Sequence, residues 1–211
     1  MNDVFFQDRV EAGERLAEKL VKYKDASPVV LALPRGGVIL GNIIAKRLHC
    51  PLGLLITRKI GHPKTSEYAI AAVTTGGEIV ENEAETIQVD RKWFERERKK
   101  QQEEARRRQD VYLGGRKTID LKDKTVIIVD DGIATGLTMM AGIKEIKSKK
   151  PAKIVVTVPV IPFDTYETLL KLVNEVVYIS APDDFIGAIG AYYTDFSQVT
   201  DEEVIKLLKT S

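Results

Sequence analysis

Short apolar runs alternating with helix-forming stretches constrain the fold of this chain more than any other feature. The runs lie at 28–33, 52–57, 125–129, 153–159 and 176–180. Each is too short and too rich in β-branched residues for a helix, so each reads as a strand buried on both faces. Between them, 38–48, 137–148 and 163–173 read as helices. This alternation predicts an α/β fold, a parallel sheet flanked by helices on both faces. Function then gathers just past the carboxyl ends of the strands. A further strand at 68–75 is broken by Gly76-Gly77 and has a hairpin return at 78–80. At the N-terminal end, 8–24 reads as a helix. Val10, Leu16, Leu20 and Val21 recur at helical spacing there, and Asp8 with Glu11 makes a capping-box pattern. Thr200 with Glu203 caps a last helix that runs to about Lys209.

Within that pattern the stretch VIIVDDGIATGLTM, Val126 to Met139, carries chemistry. Asp130 and Asp131 close a strand side by side, and their repulsion asks for a cationic or hydroxyl-rich partner. Gly132 to Gly136 form a small-residue loop before a helix start, which is an anion site made of backbone N–H groups. Thr135 and Thr138 add hydroxyl donors. One end of the segment therefore suits a phosphate and the other suits sugar hydroxyls or a divalent cation. A phosphorylated sugar presents both features. The pattern also looks like a Walker B strand, but no G-x-x-x-x-G-K-[ST] loop exists to partner it, and no G-x-G-x-x-G is present. On the residues alone, an ordinary strand–turn–helix with an acidic turn stays open.

VIIVDDGIATGLTM resembles the PRPP-binding signature of the type I phosphoribosyltransferases. The resemblance implies that Asp130 and Asp131 hold the ribose hydroxyls and, with PRPP oxygens, a Mg²⁺ ion. It implies that Ala134, Thr135, Gly136, Leu137 and Thr138 hold the 5′-phosphate. ALPRGGVILG, Ala32 to Gly41, is similar to the family's pyrophosphate loop. Arg35, Gly36 and Gly37 would face pyrophosphate there, with a cis peptide at Pro34–Arg35. ITRKIG, Ile56 to Gly61, adds Arg58 and Lys59 as further pyrophosphate-facing cations, against a reading as solvated surface charge. HPKTSEYAIAAV, from His62, resembles small phosphoribosyltransferase-domain proteins and singles out Glu67; His49 and His62 themselves read as loop histidines. The resemblance spans most of 29–180. The two ends are left as a small variable hood over the base, within one phosphoribosyltransferase domain at 1–211.

The implied reaction transfers the 5-phosphoribosyl group of PRPP to a nitrogenous base and releases pyrophosphate, a purine being slightly favoured. Asp130, Asp131 and Arg35 are the implied catalytic groups. The carboxylates would face an oxocarbenium-like sugar, while Arg35, Lys59 and Mg²⁺ offset the charge that leaves. One departure matters. Hypoxanthine- and xanthine-type relatives carry an acid where this chain has Ala134, which leans away from a 6-oxopurine. A general base would then come from Glu81, Glu83 or Glu85. Among the C-terminal aromatics Phe185, Tyr192, Tyr193 and Phe196, core packing suits most, and Phe185 or Tyr192 is the candidate to stack on the base.

The segment 90–112 is helix-forming but poorly apolar after Trp93 and Phe94, and Gly114-Gly115 ends it. It reads as a solvated helix braced by pairs such as Glu95–Lys99, as a lid or dimer element, or as a nucleic-acid patch ending in Arg106-Arg107-Arg108. The last option carries a rival function, a PRPP-sensing regulator that binds nucleic acid with little catalysis. A net charge of +1 argues against a nucleic-acid partner. The expected partners are PRPP, a nucleobase and a second copy in a homodimer. The single Cys50 reads as a buried structural thiol and excludes a disulfide within the chain. No signal-peptide h-region appears at the N-terminus, and no run nears the roughly 18 apolar residues that span a membrane, so a cytoplasmic location is expected.

Overall fold

The computed structural model describes residues 5–116 and 118–209. In chain order the elements are α1 (Arg9–Leu20), β1 (Val29–Ala32), α2 (Gly37–Leu48), β2 (Leu52–Leu54), β3 (Thr57–His62), β4 (Thr65–Thr74), β5 (Ile79–Glu81) and α3 (Glu83–Thr86). They continue with α4 (Arg91–Leu113), β6 (Thr125–Val129), α5 (Leu137–Ser148), β7 (Lys153–Val160), α6 (Phe163–Leu170), β8 (Glu175–Ser180) and α7 (Asp201–Lys209). Turns of 3₁₀ helix lie at Val21–Ala26 and Ile189–Tyr192.

Five strands make one parallel sheet in the order β2-β1-β6-β7-β8. Because successive strand residues point to opposite faces, each apolar run feeds two cores. Val30, Ile127, Val129 and Val155 meet Leu16 and Leu20 of α1 and Leu40 and Ile44 of α2. Val29, Leu31, Val126, Ile128 and Val156 meet Met139, Ile143 and Ile146 of α5 and Leu169 of α6. Each such side chain contributes about 1.5–3 kcal/mol when fully buried. The predicted parallel sheet with helices on both faces is present.

Three expectations change in detail. The predicted strand at 52–57 is two strands in two sheets. Leu55 and Ile56 are both buried and belong to cores on different sides, so the chain turns between them. Arg58 and Lys59 consequently ride on β3, in an antiparallel sheet of order β3-β4-β5. That small sheet is held between Phe94 of α4 on one side and Leu137 and Ala141 of α5 on the other. Val10 of α1 and Val21 just past its end are exposed, and the buried face of α1 is Arg9, Ala12, Gly13, Leu16, Ala17 and Leu20. The small residues let α2 close in. A Cβ on Gly13 would sit 2.9 Å from Ile43 Cδ1 and 3.2 Å from the Leu40 Cα. In the capping box, Asp8 accepts from the Val10 and Glu11 N–H groups, but the Glu11 carboxylate takes the Gln7 N–H instead of that of Asp8.

The charged helix α4 has 23 residues and buries only Phe94, Ala105 and Tyr112. Asp90 caps it by accepting from the Trp93 N–H at 2.8 Å, and Gly114 ends it at φ 55°. Glu95 pairs with Arg91 and Arg98, and the expected Glu95–Lys99 brace does not form. At α7 the reciprocal cap forms as predicted, with Thr200 Oγ1 accepting from the Glu203 N–H and the Glu203 carboxylate from the Thr200 N–H. Among the described residues no helix is long and apolar enough to cross a membrane.

Candidate functional site

β1 and β6 are parallel neighbours with Ala32 opposite Val129, so the loops that leave them emerge side by side. The Leu33 N–H donates to the Val129 carbonyl at 2.9 Å and prolongs the pairing by one step. This register brings Pro34-Arg35-Gly36-Gly37 against Asp130-Asp131. The Pro34–Arg35 peptide is cis. The absence of a side chain at Gly36 is what permits the approach, since a Cβ there would lie 1.8 Å from Asp131 Oδ2. At Gly37 it would lie 2.9 Å from the Val129 carbonyl oxygen.

The two aspartates face different surroundings. Asp131 Oδ2 accepts from Arg9 Nε at 2.7 Å, an ion pair with both side chains largely buried. Arg9 also donates to the Ser197 carbonyl at 2.7 Å and lies 3.8 Å over the Phe196 ring. The Tyr193 hydroxyl donates to the Asp131 carbonyl oxygen. Asp130 instead lines a cleft of about 650 Å³. Burial raises its pKa well above the usual aspartate range, the neighbouring Asp131 charge adds to that, and Lys59 opposes it. Asp130 also accepts the Asp131 N–H at 2.9 Å.

From Asp130 the chain runs through Gly132 and Gly136, at φ 158° and 74°, into the N-terminus of α5. The first-turn amides of a helix have no acceptor within it. At α5 these are the amides that begin at Leu137 and Thr138, with Gly136 as the cap and Ala134 and Thr135 in the loop that leads to it. Thr135 is exposed, and Thr138 lines the cleft. Thr165 of α6 steadies the loop by donating to the Ala134 carbonyl at 3.1 Å.

Arg58 and Lys59 line the cleft as well. Arg35 turns aside toward Asp201 at the start of α7, 3.7 Å away, and the Tyr112 hydroxyl donates to the same carboxylate at 2.7 Å. Burial and then Asp201 push the Tyr112 phenol up to about 12. Glu67, singled out in the sequence, lines the cleft, whereas Glu81, Glu83 and Glu85 do not. Glu81 pairs with Arg91 and Glu85 accepts from Tyr68. Among the aromatics, Tyr192 is fully buried, with Phe5 and Phe185 stacked on it and its hydroxyl accepting from the Ile186 N–H. It is a packing residue, and Phe185 is the half-buried member of the pair. Cys50 lies apart from the site, its thiol pushed up to about 11 by burial.

Two participants escaped the sequence reading. Arg9 had a signal, since it falls on the same helical stripe as Gly13, Leu16 and Leu20, where a cation needs a buried partner. The second is the face of α4 at the cleft: a lid was one reading of this helix, but that Trp93, Glu97, Gln101 and Arg108 are the residues lining the cleft was not read. Among the described residues no group of three or more His, Cys, Asp or Glu side chains is placed to hold a metal ion.

A parallel sheet with an acidic pair and a small-residue loop at one strand end, beside a glycine-rich loop at the next, defines an α/β class whose site lies at the carboxyl ends of the strands. The family is then specific: the model of the phosphoribosyl transferase domain matches residues 6–196, and the chain belongs to that family. The “Putative phosphoribosyl transferase Rv0571c” of Mycobacterium tuberculosis is 36% identical over 205 residues, 96% of this chain and 46% of that protein. The chain thus spans about half the length of the curated relatives it matches. The crystal structure of TT1426 from Thermus thermophilus is 40% identical with a TM-score of 0.81, covering 97% of this chain and 98% of the other. A hypothetical protein from Neisseria gonorrhoeae with bound ppGpp shares the fold at 15% identity and TM-score 0.51, over 98% and 96% of the two chains.

Proposed function

We propose that the protein is a phosphoribosyltransferase that binds PRPP with Mg²⁺ and joins its 5-phosphoribosyl group to a ring nitrogen of a nucleobase, releasing pyrophosphate. One observation carries this reading. The half-buried carboxylate of Asp130 lines one cleft together with Arg58, Lys59 and Thr138 of the first turn of α5. A carboxylate, a helix start and two cations on one cleft suit a sugar that carries a phosphate and a diphosphate.

In this reading the amides of Ala134 to Thr138 hold the 5′-phosphate and Asp130 accepts from the ribose hydroxyls. Asp131 adds negative potential from behind it, its own carboxylate held by Arg9. Arg58, Lys59 and the backbone of Gly36 and Gly37 receive the diphosphate, and Arg35 leaves Asp201 to join them. Positive charge that develops on the sugar is met by carboxylates already in place, so stabilisation is electrostatic and positional. Two hard oxygen donors are too few to cage Mg²⁺ alone but fit an ion that shares its shell with substrate oxygens. Bound there, the ion offsets the charge that builds on the departing pyrophosphate. Phe185 is the base-stacking candidate, a purine being slightly favoured. A cytoplasmic homodimer acting in nucleotide salvage accompanies the reading, and sedimentation of the purified chain checks the dimer.

The test is a coupled pyrophosphate-release assay with PRPP, Mg²⁺ and a panel of purine and pyrimidine bases. Release with at least one base is expected. If PRPP binds and no base releases pyrophosphate, the regulator reading gains. Pairing within α4 offsets part of its positive charge, with Glu95, Glu97 and Glu104 engaging Arg91, Arg98, Lys100, Arg107 and Arg108, and together with a net charge of +1 for the chain this weighs against that alternative.

A further inference from the structure

Arg58 is half-buried, and its Nε donates to Gln101 Oε1 at 3.0 Å. Among the described residues no carboxylate lies within ion-pair distance of it. Burial and then the charge of Arg108 lower its pKa. A partly desolvated guanidinium with only a neutral acceptor, facing a second guanidinium, is costly unless an anion joins them. Lys59 is a third cation on the same cleft, across from the carboxylates of Glu67, Glu97 and Asp130.

Arg108 is the second guanidinium. It lines the cleft from α4, outside every motif that marks the family, with its Nε 2.9 Å from Glu104 Oε1. Glu104 has another partner. Arg107 holds both of its oxygens, at 2.7 and 3.0 Å, on the outer side of the helix. The two arginines together hold the Glu104 carboxyl down at about 2. Arg108 is thus free to change partner without leaving Glu104 unpaired.

We propose that Arg108 is a diphosphate-binding residue contributed by α4. It leaves Glu104 for the pyrophosphoryl group, which it grips together with Arg58 and Lys59. Gln101 positions Arg58 for this, its own amide donating to Glu97 at 2.7 Å. The proposal rests on the phosphoribosyltransferase reading, and it makes α4 a wall of the substrate site.

The experiment is calorimetric titration of inorganic pyrophosphate, ribose 5-phosphate and PRPP, each with Mg²⁺, into wild type, Arg108→Gln and Arg107→Gln. Glutamine keeps the helix propensity of arginine, and melting curves check the fold. Arg108→Gln is expected to weaken pyrophosphate and PRPP about tenfold or more, the scale of a lost charge-assisted pair. Ribose 5-phosphate, which lacks the diphosphate, is expected to bind within about twofold of wild type. Arg107→Gln, equal in charge change but outside the cleft, leaves Arg108 as the remaining partner of Glu104, and is expected to weaken pyrophosphate and PRPP by no more than about threefold while ribose 5-phosphate stays within about twofold of wild type. Equal losses in both variants, an equal loss for ribose 5-phosphate, or no loss in Arg108→Gln overturns the proposal while the phosphoribosyltransferase reading stands. Wild type that binds neither PRPP nor pyrophosphate overturns both. Wild type that binds pyrophosphate but not PRPP overturns the function alone, provided Arg108→Gln loses pyrophosphate.

Discussion

In the parallel sheet, β6 buries Val126, Ile127, Ile128 and Val129 completely, between helices on both sides. In the antiparallel sheet, β4 is exposed from Thr65 to Tyr68 and buried only from Ala69 onward. The first strand ends on Asp130, and the second sheet brings Arg58 and Lys59 to the same cleft. The acidic half of the site is therefore fixed by a two-faced core, while the basic half stands on a sheet with less buried surface and lower local stability. On the proposed function, the groups that would meet the sugar are the ones held rigidly, and those that would meet the leaving group have room to adjust.

The widest gap between the two regions is expected in stability. Ile128→Ala removes a fully buried side chain from β6 and is expected to cost about 2–5 kcal/mol in denaturant unfolding. Ile87→Ala, beside α3 at the edge of the antiparallel sheet, removes an exposed one and is expected to change stability by less than about 0.5 kcal/mol. Comparable losses at the two positions would erase the contrast.

A second test separates rigidity from function at Asp130. Asp130→Asn is expected to lower pyrophosphate release by about 10²–10³-fold, the scale of losing one preorganised electrostatic group. The same variant is expected to melt higher at pH 7. The folded pKa of Asp130 is raised, so folding penalises the ionised form. That penalty is absent below the ordinary value of 3.8 and grows as the pH rises toward the raised folded value. The stability gain is therefore expected to shrink as the pH falls from 7 to 3.8, and melting curves across that range check the sign. A variant that loses stability at pH 7 would show that Asp130 is satisfied rather than held under cost.

Smaller effects sharpen the picture. Gly36→Ala keeps an ordinary backbone, since φ is −59°, but drives a methyl group into the Asp131 carboxylate. PRPP affinity is expected to fall on the order of tenfold, because a shift of under an ångström in charged groups is felt at the reacting centre. Smallest of all is the effect at Cys50. With its thiol near 11, reaction with a disulfide reagent at pH 7 is expected to be much slower than for a free cysteine until the protein is unfolded.

The same two regions divide what was legible in the sequence. β6 and α5 begin and end where their apolar spacing puts them, because burial on both faces leaves one register open. The Thr200–Glu203 cap and the close of α4 at Gly114 were readable for a related reason, each being a local hydrogen-bonding device with its own residue signature. The turn at Leu55 and Ile56 was not, because two adjacent buried residues look like a continuing strand until tertiary contacts send them to different cores. Val10 and Val21 misled for the opposite reason, since α1 packs through glycine and alanine, which carry little apolar weight. In the site, the acidic pair and the glycine loop announced themselves, while the Arg9–Asp131 pair spans 122 positions and leaves no local trace. Glu95 pairs with Arg91 and Arg98 in place of Lys99, a choice among several well-spaced cations that spacing does not decide.

Asp201 opens the final helix and takes hold of both Arg35 and Tyr112. An ion pair from α7 thereby reaches the Arg35 side chain of the loop after β1. Val204 and Leu208 of the same helix are buried with Ala32 of β1 and with Ile56, where the chain passes from one sheet to the other, so a disturbance of α7 would reach the hydrophobic interior and the resting place of the arginine together.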